Sequence, residues 1–334
     1  MSEIKPFTGV DDRVPLSEAV PLVTPFTLNI FPSNICNFRC RYCAQSLGRE
    51  VLCREYDLPP QNMSLELMEH VVQQASEFPQ PFKLVSMMGH GEPLCNPDLP
   101  EMVGMVKRAG VAERVDIITN ASLLTPEYSD RLLEAGLDVL RVSLQGVRSE
   151  SYWKTSRVKL NFEEFYQNLE YFYRRRGNCR LYVKVVDAAL DDGEEDIFFQ
   201  RFAPITDRMF IDRIKPVYSG VEYTEAERDL GTDRYGQKHG RRLVCPQPFY
   251  MLSVWANGDV APCDALYKAC RLGNITTSTL RSMWTSDRKK DFCRLQLLGL
   301  RENDPACAKC CAPDDVQHKE DVLDEKRLDL LAKF

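Results

Sequence analysis

Cys36-Asn37-Phe38-Arg39-Cys40-Arg41-Tyr42-Cys43 follows the apolar run Phe26–Phe31, and its spacing organises the reading of the whole chain. Three thiols within eight residues converge on one small object, and soft thiolates select iron–sulfur clusters or zinc over hard cations. A closed structural zinc site asks for four ligands, and this loop supplies no fourth. Cys53 stands ten residues on, across a helical stretch. Three ligands on a [4Fe–4S] cubane leave one iron open, which is what a catalytic site requires. The competing readings are a zinc site and three incidental core cysteines.

Around this loop the pattern alternates short apolar runs with amphipathic stretches. Strands are expected at Phe26–Phe31, Lys83–Met88, Arg114–Thr119, Val139–Leu144, Leu181–Val186 and Met209–Ile214. Helical periodicity falls at Leu65–Phe78, Leu99–Ala109, Pro126–Ala135, Phe162–Tyr173 and Glu194–Phe202, with Ser64, Gly110 and Gly136 as start and stop signals. Six such alternations imply a parallel α/β sheet with right-handed crossovers. Beyond Pro216 the chain turns polar, and Phe249–Trp255, Asn257-Gly258 and Val260–Ala261 read as a β-hairpin. Two short helices, Thr276–Ser286 and Asp287–Leu298, and a charged amphipathic helix over 316–334 complete it. The boundaries expected are a leader at 1–25, a core at 26–216, a connecting segment at 217–244, a second cysteine-bearing domain at 245–315 and the terminal helix.

Composition narrows the class. The 334 residues carry a formal charge of −6 with 28% charged and 44% hydrophobic residues, as ordinary globular proteins do. Long basic runs are missing, which weighs against nucleic acid as a partner, although a local basic pocket could hold one anionic substrate. The polar start, Met1 to Arg13, has no apolar signal region, and no stretch approaches the ~20 apolar residues of a membrane helix. A cytoplasmic location is the expectation, and there thirteen cysteines point to metal or redox chemistry rather than disulfides.

The C-x3-C-x2-C loop after a first strand resembles the radical-SAM signature, and the likeness extends over roughly residues 26–315. It implies a partial (β/α)6 barrel with a small C-terminal β-hairpin-plus-helix domain. It also implies a [4Fe–4S] cluster on Cys36, Cys40 and Cys43 that binds S-adenosylmethionine, cleaves it reductively and yields a radical that abstracts hydrogen from C–H bonds. Gly89-His90-Gly91-Glu92-Pro93 resembles the family motif receiving the methionine amino group, with Glu92 as anionic or structural partner and His90 in backbone positioning. Asn120 resembles part of a Thr-Asn-Gly segment, although Ala121 stands where Gly is usual. Ser143 and Gln145 resemble ribose and carboxylate contacts, and Tyr42 a residue beside the adenine. Strand-end capping is the competing reading for Asn120 and Ser143, a core tyrosine for Tyr42.

Cys245, Cys263, Cys307 and Cys310 flank the hairpin and close with a C-x2-C, resembling the auxiliary-cluster region of the SPASM and twitch group. Spacing alone fits zinc as well; the resemblance implies a second [4Fe–4S] cluster. Nothing after Cys311 supplies a further set, so a single closed, electron-transferring cluster is expected, with Cys311 an alternative to Cys310 and Cys270 an outside candidate. Cys53, Cys179 and Cys293 are expected in core or half-buried positions.

Compact relatives of this group include dehydrogenases of aminocyclitol pathways. The implied function is oxidation of a secondary alcohol on a small, sugar-like substrate, with an electron donor such as flavodoxin or ferredoxin as partner. The alternatives are an epimerase using Cys95 as hydrogen donor, a peptide maturase, and a non-catalytic cluster scaffold. Asp187, Asp212, Arg213 and Lys215, near strand ends, are candidates for base or substrate contact, with surface or ion-pair duty competing.

Overall fold

The computed structural model describes residues 2–7, 9, 13–315 and 318–334. One sheet runs through it. Its strands are β1 (Glu3–Ile4), β2 (Thr27–Ile30), β3 (Leu84–Met87), β4 (Val115–Thr119), β5 (Val139–Leu144), β6 (Arg180–Val186), β7 (Arg208–Asp212), β8 (Met251–Val254), β9 (Asp259–Ala261) and β10 (Gly273–Asn274). Their spatial order is β1-β7-β6-β5-β4-β3-β2-β8-β9-β10. Pairing is parallel from β1 through β8 and antiparallel in the β8–β9–β10 corner. The edge strands β1 and β10 do not pair with each other, so the barrel is partial.

Period-two alternation gives the sheet two unlike faces. Outward side chains (Ile30, Val85, Ile117, Val142, Val183, Met209) are apolar and buried beneath the crossover helices. The helices expected from periodicity form at Leu65–Ala75, Leu99–Ala109, Pro126–Glu134, Phe162–Arg175 and Glu194–Phe202. Ser64 and Thr125 cap two of them by accepting from the backbone N–H three residues on, at 3.1 and 3.2 Å. Inward side chains are polar instead: Asn29 donates to Ser253 Oγ at 3.2 Å, Ser86 to Asp116, and Arg141 reaches Asp116 at 3.3 Å. A polar inner wall is unusual for a core and suits a ligand-binding lumen.

Four expectations change. The leader is not wholly irregular: β1 extends the sheet beside β7, and Phe7 plugs the lumen floor, with Arg141 stacked 3.8 Å from its ring centroid. The Phe249–Trp255 strand begins late, because Pro248 sits in the first turn of a short helix, Gln247–Tyr250. The hairpin, expected within the second domain, joins the core sheet, since β8 lies in register beside β2. The tail is not one helix: within 318–334 two 3₁₀ turns precede a five-residue helix, Arg327–Leu331, while Val316 and Gln317 lie outside the described residues. Tertiary bonds win over helical continuity there. Asp321 pairs with Arg13 at 2.6 Å, Asp324 accepts from the Leu243 N–H at 2.7 Å, and Phe334 meets Phe249 edge-on.

Candidate active site

The cluster loop leaves the carboxyl end of β2 and is hung from the end of the Ser149–Ser156 helix. Arg39 and Arg41 donate their N–H groups to the Ser156 and Thr155 carbonyls, both at 2.9 Å, and Phe38 packs edge-on against Tyr152. The Arg39 guanidinium spans the loop to the Cys36 and Phe38 carbonyls at 2.7 Å. Burial pushes the Cys36 thiol up to about 12. Burial, then the closeness of Cys43 and Cys36, raises Cys40. Thiols in such a pocket stay protonated until a positively charged centre offsets their desolvation, so the donor set fits iron. Among the described residues no three His, Cys, Asp or Glu side chains close on a single ion.

The Gly89–Pro93 turn lies against the backbone leading into that loop. A Cβ at Gly91 would stand 2.3 Å from the Ser33 carbonyl oxygen, and the Glu92 N–H donates to Ile35 O at 2.8 Å. Glu92 is engaged in bonds within the chain. Its carboxylate accepts from the Leu94 N–H (3.0 Å), the Asn120 N–H (2.7 Å) and the Thr119 hydroxyl. Burial holds its pKa up at about 7. Asn120 likewise serves as a cap, accepting from Ser122 N–H at 2.9 Å and donating to Asn37 at 3.0 Å. Ala121, where the resemblance led one to expect glycine, adopts a left-handed conformation with φ +57°, at a cost of roughly 1–2 kcal/mol.

The His90 ring is bonded to the backbone of a distant segment. Its Nε2 donates to the Asp264 carbonyl at 2.8 Å and its Nδ1 faces the Tyr218 hydroxyl at 3.4 Å. Burial lowers its pKa to about 4, so the ring is neutral. The Asp264 carboxylate in turn accepts from Gln247 at 2.8 Å. One chain of bonds thus runs from the turn to the residues beside Cys263 and Cys245.

Those two cysteines share a pocket with Cys307 and Cys310, walled by Phe292 and Ala269. Gln296, fully buried, accepts from the Cys245 N–H (3.4 Å) and reaches Cys307 Sγ (3.8 Å), while Asp304 accepts from the Cys307 N–H at 3.0 Å. Cys311 and Cys270 do not line this pocket; their thiols face the Pro216 and Arg288 carbonyls at 3.6 and 3.8 Å. Cys179 and Cys293 are buried as expected, but Cys53 is exposed.

A second cavity, of about 250 Å³, opens between the carboxyl ends of β5–β7 and the segment after Pro216. Cys43, Tyr42, Ser143 and Gln145 line it on one side, and Tyr42 donates to Gln145 Oε1. Lys184, Asp212, Arg213, Lys215, Arg234 and Asp315 line the other. Lys184 pairs with Asp212 at 2.7 Å, yet Asp212 Oδ1, on a residue 3% exposed, has no donor. Cys95 is not among the lining residues, and burial raises its thiol to about 11. Asp187 is exposed, its Oδ1 spent on the Ala188 and Ile214 N–H groups at 2.7 and 2.9 Å. Sequence reasoning missed Lys184, whose charge in the apolar run Leu-Tyr-Val-Lys-Val-Val was the available signal. It also missed Arg234 and Asp315, which carry no periodic signal.

The family likeness gives the class: this is a radical-SAM protein. The family model of the radical SAM superfamily matches residues 30–188, and that of an iron–sulfur cluster-binding domain, SPASM, matches 245–311. The chain is therefore a radical-SAM enzyme with a C-terminal SPASM-type domain; its cofactors are S-adenosylmethionine, the [4Fe–4S] cluster that binds it and an auxiliary cluster. It is similar to the AdoMet-dependent heme synthase of Methanosarcina barkeri, 30% identical over 35% of this chain and 30% of that protein. It also resembles a probable GTP 3′,8-cyclase of Methanococcus maripaludis, 32% identical over 44% of this chain and 45% of that protein. The chain thus spans less than half the length of these curated relatives. Among solved structures, BtrN in complex with AdoMet and 2-DOIA aligns with 85% of this chain and 92% of its own (TM-score 0.55, 20% identity), a likeness of fold. No helix among the described residues is long and apolar enough to cross a membrane.

Proposed function

We propose that this enzyme oxidises a secondary alcohol of a small, polar, sugar- or cyclitol-like substrate bound in the cavity beside Cys43. Cys36, Cys40 and Cys43 would hold the first cluster, and Cys245, Cys263, Cys307 and Cys310 the auxiliary one. When bound, these groups supply a carbon radical able to take hydrogen from an unactivated C–H bond and an acceptor for one electron. The chain's own residues supply the rest. Tyr42, Gln145 and Ser143 form the cofactor wall. The short helix Ala312–Asp315 contributes Ala312 and Pro313 to the four-cysteine pocket and Asp315 to the cavity.

Oxidation of an alcohol also removes a proton from oxygen, and Asp212 carries this reading. Its Oδ1 is a buried acceptor without a donor, in a cavity that Cys43 also lines. An orphaned carboxylate oxygen costs about 1–3 kcal/mol or more unless a ligand hydroxyl meets it. Lys184 fixes its orientation from the other oxygen. The epimerase alternative loses support, since Cys95 stands outside the cavity.

The test is Asp212→Asn in anaerobically reconstituted holoenzyme, assayed on a panel of polyols and sugar alcohols. Ketone formation should fall by about 10²–10⁴-fold, the usual contribution of a positioned base, while cleavage of S-adenosylmethionine continues. Undiminished ketone formation would remove Asp212 from the mechanism.

A further inference from the structure

Charge in the cavity goes beyond what oxidation of an alcohol requires. Four cations and two carboxylates line it. Lys184 and Asp212 neutralise one another, and Arg234 grips Asp315 through Nε at 3.0 Å and through Nη2. Lys215 and Arg213 remain. Lys215 is 5% exposed, and its ammonium meets only the Asp229 carbonyl at 2.9 Å and the Thr232 hydroxyl at 3.2 Å. Neither Lys215 nor Arg213 has a carboxylate partner among the described residues. A buried ammonium bonded only to neutral oxygens costs several kcal/mol relative to a paired one.

Arg213 is held by shape instead. Its guanidinium lies against Gly236, where a Cβ would come within 3.0 Å of Nε, and its N–H donates to Arg234 O at 2.7 Å. Acidic groups do occur on the outer side: Asp187, Glu227 and Asp229 line the adjoining recess. Glu227 is paired with Arg41 at 2.6 Å, and Asp187 and Asp229 accept from backbone N–H groups. Lys215 and Arg213 stand on the wall that this recess shares with the cavity, so the unbalanced positive charge lies where the two meet.

We propose that Lys215 and Arg213 form an anion subsite, so that the substrate is an alcohol carrying a phosphate or carboxylate rather than a cationic aminocyclitol. This rests on the cavity being the substrate site, and it names the class of molecule that enters. Asp212 then accepts from the hydroxyl at one end while Lys215 and Arg213 hold the anion at the other. The substrate is thereby oriented with its reacting carbon toward the Cys43 side.

Equilibrium binding to the holoenzyme with S-adenosylmethionine present tests this, using glucose 6-phosphate, glucuronate, glucose and streptamine as probes. At least one anionic probe should bind about 10-fold or more tightly than glucose, and streptamine should bind weakest. Preference between the two anions identifies phosphate or carboxylate. Lys215→Met and Arg213→Gln should each weaken the preferred anion by about 10- to 100-fold, as loss of one charge-assisted bond does, and leave glucose unaffected. Arg213 is exposed, so its variant guards against a folding failure at Lys215. Streptamine or glucose binding as tightly as either anion, or no measurable anion binding, overturns the proposal. So does an equal loss of S-adenosylmethionine affinity in the variants, which would assign these cations to the cofactor carboxylate. The measurement reads affinity alone, so a failed alcohol oxidation in the Asp212 experiment leaves it intact.

Discussion

Replacing Gly91 by alanine puts one methyl group into the tightest contact between the two motifs. The added carbon would stand 2.3 Å from Ser33 O, 2.7 Å from Asn34 C and 2.8 Å from Ile35 O, where real contacts do not fall under 3.0 Å. All three are backbone atoms, so no side chain can swing aside, and the two loop segments must part by at least 0.7 Å. That movement lengthens the Glu92 N–H···O Ile35 bond from 2.8 Å, forfeiting about 1 kcal/mol. Overpacking adds roughly 1–3 kcal/mol. The total, about 2–4 kcal/mol, is a large share of the 5–15 kcal/mol typical of a folded protein. Cys36 follows Ile35 immediately, so the displacement is delivered to the cluster loop. Iron content, visible absorbance and thermal unfolding of reconstituted Gly91→Ala should show a loss of about half the iron and a lowered Tm. Wild-type iron together with an unchanged Tm would refute the claim that this turn braces the cysteine loop.

Further outcomes follow from other contacts. Cys310→Ser should lose about half the iron while Cys311→Ser retains it, because only Cys310 lines the four-cysteine pocket; iron analysis of the two proteins decides, and the reverse pattern would exchange the ligands. Two buried groups oppose each other in pH dependence. Glu92, raised from 4.5 to about 7, favours folding most below pH 4.5 and loses that contribution as pH rises to 7. His90, lowered from 6.5 to about 4, favours folding most above pH 6.5 and loses that contribution as pH falls to 4. Each is of the order of 3 kcal/mol, so the wild-type Tm should vary little between pH 5 and 7. His90→Gln leaves Glu92 unopposed, and its Tm should rise as pH falls through that window; a parallel profile for both proteins would discount the pair.

Much of the core was legible because its signals are local. Six parallel strands and five helices announce themselves by periodicity, and both cysteine groups by spacing. The partnership of β2 with β8 left no such trace, because parallel pairing joins residues far apart in sequence and has no turn to mark it. Site residues divided the same way. Asp212 and Lys215 stood at a recognisable strand end, whereas Arg234 reaches the cavity from an aperiodic segment held by Asp315. Asp187 looked as good a base as Asp212; burial, cavity lining and the destination of their hydrogen bonds separate them.

The seam between β2 and β8 also bears on how the chain is made. Leu28 pairs with Leu252, so a ribosome must deliver 224 further residues (252 less 28) before the strand that launches the first cysteine loop gains its outer neighbour. Until then β2 is a bare, apolar edge, the kind of surface on which nascent chains associate wrongly. A chain stopped after the crossover strands keeps that edge. The auxiliary domain thus covers the edge of the core sheet from which the first cysteine loop departs.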